Sequence, residues 1–220
     1  EGRIWVEPMG GCRPQKYGEG PFDIVTERGV FEGVLCMGST HSSALSSRTD
    51  AATRKMPGWD VVYVDCGMDA AQLRETGIQI GDRGVPGRRR KPPMFLGADA
   101  ICGYALDDKA GVAMLLLLLE RLLRQPPLHD VVLAFTSCEE AGCSGALYLG
   151  RTNPVDSIIA IEIAPMAEEY SVVFDERPVL MYKDAVYHYD LHLTRAVARA
   201  AERVDVAVQA QCVRCFGSDA

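Results

Sequence analysis

The chain has 220 residues, 48% of them hydrophobic and 24% charged, with a formal net charge of -7, the balance of a soluble globular protein of one large or two small domains. The acidic excess argues against a general nucleic-acid binder, which needs a concentrated positive field. The longest apolar run, VAMLLLLL (112–119), is stopped by Glu120, Arg121 and Arg124 well short of the roughly 20 residues a membrane span requires. Neither nucleic acid nor a membrane is therefore an expected partner.

Both ends, EGRIWVEP and GSDA, read as cuts through a longer protein. Residues 1–85 are rich in glycine and in short β-type runs: RIWVEP (3–8), FDIVTE (22–27), VFEGVLCM (30–37) and DVVYVDCG (60–67). Such runs separated by turn residues predict a small barrel-like β domain. AAQLRETG (70–77) predicts a short helix with Gly77 as its stop, and IGDRG (80–84) a turn. The dense basic run GRRRKPP (87–93) lies among Gly and Pro and reads as a solvated loop, the alternative being a contact to an anionic substrate or a subunit.

From about residue 94 helices alternate with strands. Lys109 to Arg124 predicts a helix ended by Gln-Pro-Pro, apolar nearly all round through residue 119 and so expected to be buried against a sheet. DVVLAFTS (130–137) and SIIAIEIA (157–164) read as strands and YSVVF (170–174) as an edge strand, while GCSGALYLG (142–150) and YHYDLHLTRAVARAAERV (187–204) read as helices. This alternation predicts an α/β fold, a mostly parallel sheet with helices on both faces. Eight cysteines at irregular spacing, with no signal peptide, fit a reducing compartment, the cytoplasm, better than a disulfide scaffold.

Three acidic segments fall at or near the predicted strand ends, where ligands of open α/β sheets gather. Asp107-Asp108 precedes the long helix, Glu139-Glu140 follows one strand, and Glu162 lies in the last part of another. Each alone has a structural reading: Asp108 as a helix cap, the Glu pair as a favourable charge at a helix start, Glu162 as an interior carboxylate paired with a base. Together they repel unless protonated or neutralised by cations, and a pair of divalent metals is the economical solution. A dinuclear hydrolase needs a bridging carboxylate, further ligands for each ion, and an unligated carboxylate that takes a proton from the attacking water. Adjacent residues leaving a strand point in different directions, so an EE pair can divide that labour.

GYALDDKAGVAMLLLLLERL, FTSCEEAGCSGA and SIIAIEIAP, in that order and spacing, resemble the tetrahedral aminopeptidase family, which includes deblocking and glutamyl aminopeptidases and belongs to the dinuclear zinc exopeptidases. EGRIWVEPMGG, GVLCMGSTH and VYVDCGMDAAQLRETGIQIGD are similar to the β domain those enzymes carry inserted in the catalytic fold, and YDLHLTRAVARAAERVDVAVQAQ with GSDA is similar to their downstream part. The resemblance implies a zinc-exopeptidase-like fold, with residues 1–85 as an inserted, dimerisation-like domain and 86–220 as part of the catalytic domain. It implies Asp107 as the bridging metal ligand, Asp108 as a catalytic neighbour that orients the others, Glu139 as general base, and Glu140 and Glu162 as ligands of one metal each. It further implies a cis peptide between Asp107 and Asp108, two divalent ions per subunit (zinc, or else cobalt), peptide substrates, and a homo-oligomer, either dimer or dodecamer.

Two departures stand beside this resemblance. The family has aspartate where this chain has Glu162, and it takes one histidine ligand from before its β domain and another from near its carboxyl terminus. Neither segment is in this sequence, and His41 aligns inside the β domain, not with a ligand. Either the full protein supplies the histidines or the metal site is defective. His188 and His192 have the spacing of a zinc helix but Tyr189 where that motif needs its base. Cys212 and Cys215 form a lone CxxC, and Ser144 and Ser218 lack a nucleophile elbow. The expected function is a metal-dependent aminopeptidase. The alternatives are a dinuclear carboxypeptidase or deacylase, and a non-catalytic homologue that binds peptides or assembles with partners.

Overall fold

The computed structural model describes residues 2–38 and 56–219 and divides into two units, residues 1–104 and 105–220. In the first unit a five-stranded sheet is formed by β1 (Arg3–Trp5), β2 (Gly20–Thr26), β3 (Gly29–Cys36), β4 (Tyr63–Asp65) and β5 (Arg83–Pro86), in the order β1-β4-β3-β2-β5. Every neighbouring pair is antiparallel. Thr26 stands opposite Gly29 across the β2–β3 hairpin, so Glu27 and Arg28 make a two-residue turn, and Gly29 leaves it at φ 137, a value a side chain disfavours.

One face of this sheet carries the buried cluster Phe22, Ile24, Leu35, Val61, Val62 and Val64, against which Ile4, Tyr17, Phe31 and Trp59 pack. Strands β1 and β5 are the edges, and among the described residues no ladder joins them. Among the described residues the sheet is therefore open, without the closure that a barrel-like domain would add. A short helix α1 (Pro14–Tyr17) lies between β1 and β2, and α2 (Ala70–Thr76) follows β4. Asp69 caps α2 through Ala71 N at 2.7 Å and Gln72 N at 2.9 Å, while Gln72 Oε1 accepts Asp69 N at 2.9 Å; this reciprocal box satisfies the first orphan donors of the helix. Gly77 ends it in the left-handed conformation, φ 79, as its stop-signal role predicts.

The basic run is more than a solvated loop. Arg88 and Arg89 both pair with Glu32, at 2.7 and 3.0 Å, on their exposed side. The Arg90 guanidinium turns inward and donates to the carbonyls of Tyr17 and Gly18, and the Arg88 N–H reaches the buried Asp23 carboxylate at 2.9 Å. A small hairpin, β6 (Met94–Leu96) with β7 (Ala100–Cys102), completes the unit.

The second unit contains helices α3 (Leu106–Arg124), α4 (Ser144–Thr152) and α5 (Leu191–Arg203) and strands β8 (Val179–Lys183) and β9 (Gln209–Cys212). β8 and β9 are parallel and α5 connects them, packing on β8, which is a single crossover unit. The mixed α/β character expected of the chain is present, but among the described residues of the second unit the parallel sheet amounts to the single pair β8–β9, and the five-stranded sheet of the first unit is antiparallel. Segments 131–137 and 157–163 are without strand structure, with Phe135 54% and Ile159 63% exposed. Apolar composition signals burial, but a strand also needs a neighbour to complete its ladder, and these runs have none among the described residues. Helix α3 is likewise uncovered, Leu117 being 63% exposed, contrary to the expected burial against a sheet.

YSVVF is not an edge strand either; the Gln209 side chain takes the place of a neighbouring strand, accepting from Val173 N at 2.8 Å and donating to Val173 O at 2.9 Å. The last helix begins at Leu191, four residues later than expected, because Asp190 accepts Leu193 N at 2.7 Å and caps it there. His188 therefore precedes the helix and bridges to Lys183, so His188 and His192 share no helical face. All eight cysteines are unpaired. Among the described residues no helix is long and apolar enough to cross a membrane.

Candidate functional site

Asp107 (φ -83, ψ 105) and Asp108 (φ -117, ψ 50) are non-helical, and α3 runs regularly only after them. The peptide joining them is cis. Asp108 Oδ1 accepts Gly111 N at 2.8 Å, a bond from the cap position to the third helical residue. Gly111 is buried, and a methyl group there would run into the Asp108 carboxylate. Asp108 thus serves as the cap, while Asp107 stays exposed at the helix mouth.

The Glu139-Glu140 pair sits in a tight turn. Gly142 N and Cys143 N both donate to Glu139 O at 3.0 Å, and Gly145 N donates to Ser137 O at 3.0 Å. Gly145 permits this approach, since a Cβ on it would collide with the Ser137 backbone. Ala105, Cys138 and Cys143 hold left-handed backbone at φ 53, 61 and 55, each costing about 1–2 kcal/mol for a residue with a side chain. Strain of this kind gathers where surrounding structure holds a functional geometry, and here it borders both acidic pairs. Glu139 is half-buried and Glu140 exposed.

The acids feel one another. Burial raises the Glu139 carboxyl above its ordinary range, the charges of Glu140, Asp219 and Asp107 add to this, and a hydrogen bond from the Cys143 thiol opposes it. Glu162, half-buried, is pushed up to about 7, first by burial; the Ile163 N–H, 2.9 Å from its Oε1, opposes the rise, while Asp107, Asp108 and Glu139 reinforce it. Segments far apart in sequence are therefore brought within electrostatic reach.

Several participants were not singled out in the sequence. Asp219 lies close enough to Glu139 to act on it, and its Oδ2 accepts the Thr136 hydroxyl. Its other oxygen is buried, with no hydrogen-bond partner among the described residues. Asp184, 1% exposed, accepts Val186 N and Tyr187 N at 2.6 Å and the Tyr189 hydroxyl at 2.8 Å. The usable signal was positional: Asp184 ends the run VLMYK as the Glu pair ends VVLAFTS.

The carboxylates offer hard oxygen donors of like charge within electrostatic reach of one another, which is what a divalent cation neutralises. Among the described residues no three His, Cys, Asp or Glu side chains converge closely enough to enclose an ion; Asp107, Glu140 and Glu162 have the oxygen chemistry of cation donors but do not by themselves surround one. His41 lies outside the described residues, and His188 and His192 contribute nothing to this cluster.

A profile described as M42 glutamyl aminopeptidase matches residues 1–220. SgcX of Escherichia coli (strain K12), provisionally named an aminopeptidase, is 28% identical over 173 residues, spanning 74% of this chain and 44% of its own. Among solved structures, a TET aminopeptidase from a marine sediment Thaumarchaeota archaeon aligns with a TM-score of 0.88 at 22% identity, over 100% of this chain and 62% of that one. The Pyrococcus horikoshii TET1 peptidase, which can assemble into a tetrahedron or a large octahedral shell, aligns with a TM-score of 0.85 at 24% identity, over 100% and 64%. At these identities the structural likeness is one of fold. The chain spans less than half the length of SgcX and less than two thirds of either solved chain.

Proposed function

The chain belongs to the M42 glutamyl aminopeptidase family, and from that premise we propose that it carries the reactive acids of a metal-dependent aminopeptidase that removes amino-terminal residues from peptides. The observation that carries this reading is the common electrostatic field of Asp107, Asp108, Glu139 and Glu162. In this reading Asp107, Glu140 and Glu162 would hold two divalent ions, zinc or cobalt, Asp107 serving both, Glu140 one and Glu162 the other. Bound there, the ions would supply Lewis acidity toward the scissile carbonyl and the attacking water. Glu139, whose proton affinity is already raised, takes the proton of that water and returns it to the departing amine. Asp108 orients this group by holding the first turn of α3.

The same premise assigns assembly to the amino-terminal β unit and chemistry to the carboxyl-terminal one, with a homo-oligomer, dimer or dodecamer, as the working form. Support comes from the shell-forming relative. Eight unpaired thiols suit the reducing cytoplasm.

The test uses the full-length protein. Glu139→Gln is expected to keep about two metal ions per chain while losing on the order of 10²-fold or more of aminoacyl-anilide turnover. Turnover close to wild type in that variant would sink the assignment. A wild-type protein that cleaves N-acyl amino acids in place of aminoacyl anilides is a deacylase or carboxypeptidase, and one that binds no metal is a non-catalytic homologue.

A further inference from the structure

Asp184 is the most deeply buried carboxylate described, and the reaction outlined above does not use it. Burial alone works to raise its pKa, yet hydrogen bonds from Tyr187 N, the Tyr189 hydroxyl, Val186 N and Ser218 N hold it below the ordinary range. It is therefore ionised and can only accept. A phenol has one proton, and Tyr189 spends it on Asp184 Oδ2 at 2.8 Å. The contact of 3.2 Å between Tyr189 Oη and Ser218 Oγ must then run the other way, with Ser218 donating. The polarity of the whole chain of contacts follows from that one buried charge.

The chain of contacts continues into the site. Ala185 N donates to Phe216 O at 2.9 Å, which brings residues 216–219 alongside Asp184. Gly217 fits there because a Cβ on it would press on Val186 Cγ2 at 3.1 Å. Beyond it, the Cys143 thiol lies 3.6 Å from Ser218 O and 3.9 Å from Glu139 Oε1, and Asp219 holds the Thr136 hydroxyl. Ser218 thus faces Asp184 and Tyr189 with its hydroxyl and amide, and faces the Glu139 turn with its carbonyl.

We propose that Asp184 and Tyr189 form a positioning pair, clear of the reacting atoms, that fixes the Ser218–Asp219 segment against the Glu139–Cys143 turn and so sets the direction in which the Glu139 carboxylate faces. Its kinetic readout rests on the peptidase reading; its structural readout does not. In the full-length protein Tyr189→Phe and Ser218→Ala each remove one hydroxyl from the same link. Each is expected to lower kcat on aminoacyl anilides about tenfold with KM within about twofold, the signature of a misplaced catalytic group. The double variant should be no slower than the slower single, and Ser218→Thr, which keeps the hydroxyl, should recover most of the rate.

Independently, alkylation of Cys143, followed by peptide mapping, should be about fivefold faster in Tyr189→Phe than in the wild type, because the thiol loses its Ser218 anchor. Unchanged alkylation overturns the link itself. Faster alkylation with unchanged kcat, or losses that add in the double variant, overturns the positioning role. If the wild-type protein cleaves no peptide, the peptidase reading fails, and alkylation alone decides whether the pair holds this segment.

Discussion

The Asp108 carboxylate accepts the Gly111 N–H at 2.8 Å, so the second acid of the DD pair is committed to the first turn of α3. Asp108→Ala should therefore destabilise the protein by about 1 kcal/mol, the usual loss of a side-chain cap. Asp108→Asn should retain that stability, because an amide oxygen caps as well. Urea midpoints for the two variants give the comparison, and equal losses would show that the cap contributes nothing.

Glu162 makes the metal-free protein sensitive to pH. Its folded pKa of about 7 exceeds the ordinary 4.5, so the folded chain binds the proton more tightly than the unfolded one. Its stabilising effect is complete below pH 4.5 and is lost as pH rises through about 7. With chelator present, midpoints should fall across that window in wild type and be flatter in Glu162→Gln. Identical profiles would remove the Glu162 carboxylate as the cause.

Arg89 and Arg90 are neighbours with different tasks. Arg89 pairs with the exposed Glu32, whereas Arg90 reaches the carbonyls of Tyr17 and Gly18. Exposed ion pairs contribute little, and a guanidinium that satisfies backbone acceptors contributes more. Arg90→Ala should lower the denaturation midpoint more than Arg89→Ala. The reverse order would mean that the Glu32 pairing, not the α1 contact, anchors this turn.

Leu35 is fully buried at the centre of the first unit. Leu35→Ala should cost about 2–5 kcal/mol, the range for emptying a packed aliphatic site. Hydrogen exchange should show the loss over β2, β3 and β4. A cost near zero would mean that the neighbouring Val62 and Val64 collapse into the space.

The first unit was the more legible because its signals are local. The αL stop at Gly77 and the short β-type runs need only their neighbours in sequence, as the hairpin of β2 and β3 shows. The second unit depends on partners. The runs at 131–137 and 157–163 carry strand composition, yet composition cannot supply the ladder that makes a strand. Asp190 moved the start of α5 past His188, which a count of i, i+4 spacing does not register. Among the acids, Asp107, Asp108, Glu139, Glu140 and Glu162 stand out because they are adjacent or follow apolar runs. Asp219 does not, since its importance lies in a hydrogen bond to Thr136, 83 positions away, and Asp184, although it ends the run VLMYK, is a lone acid whose role shows only in the hydrogen bonds that enclose it.

The bond from Gly145 N to Ser137 O closes the segment carrying the Glu pair into a loop of fixed circumference. Within such a loop the side chains can change, while the number of residues cannot. A library randomising positions 138–144 at constant length should yield folded members. Inserting or deleting a single residue there should leave almost none, because the ring no longer closes on its own backbone.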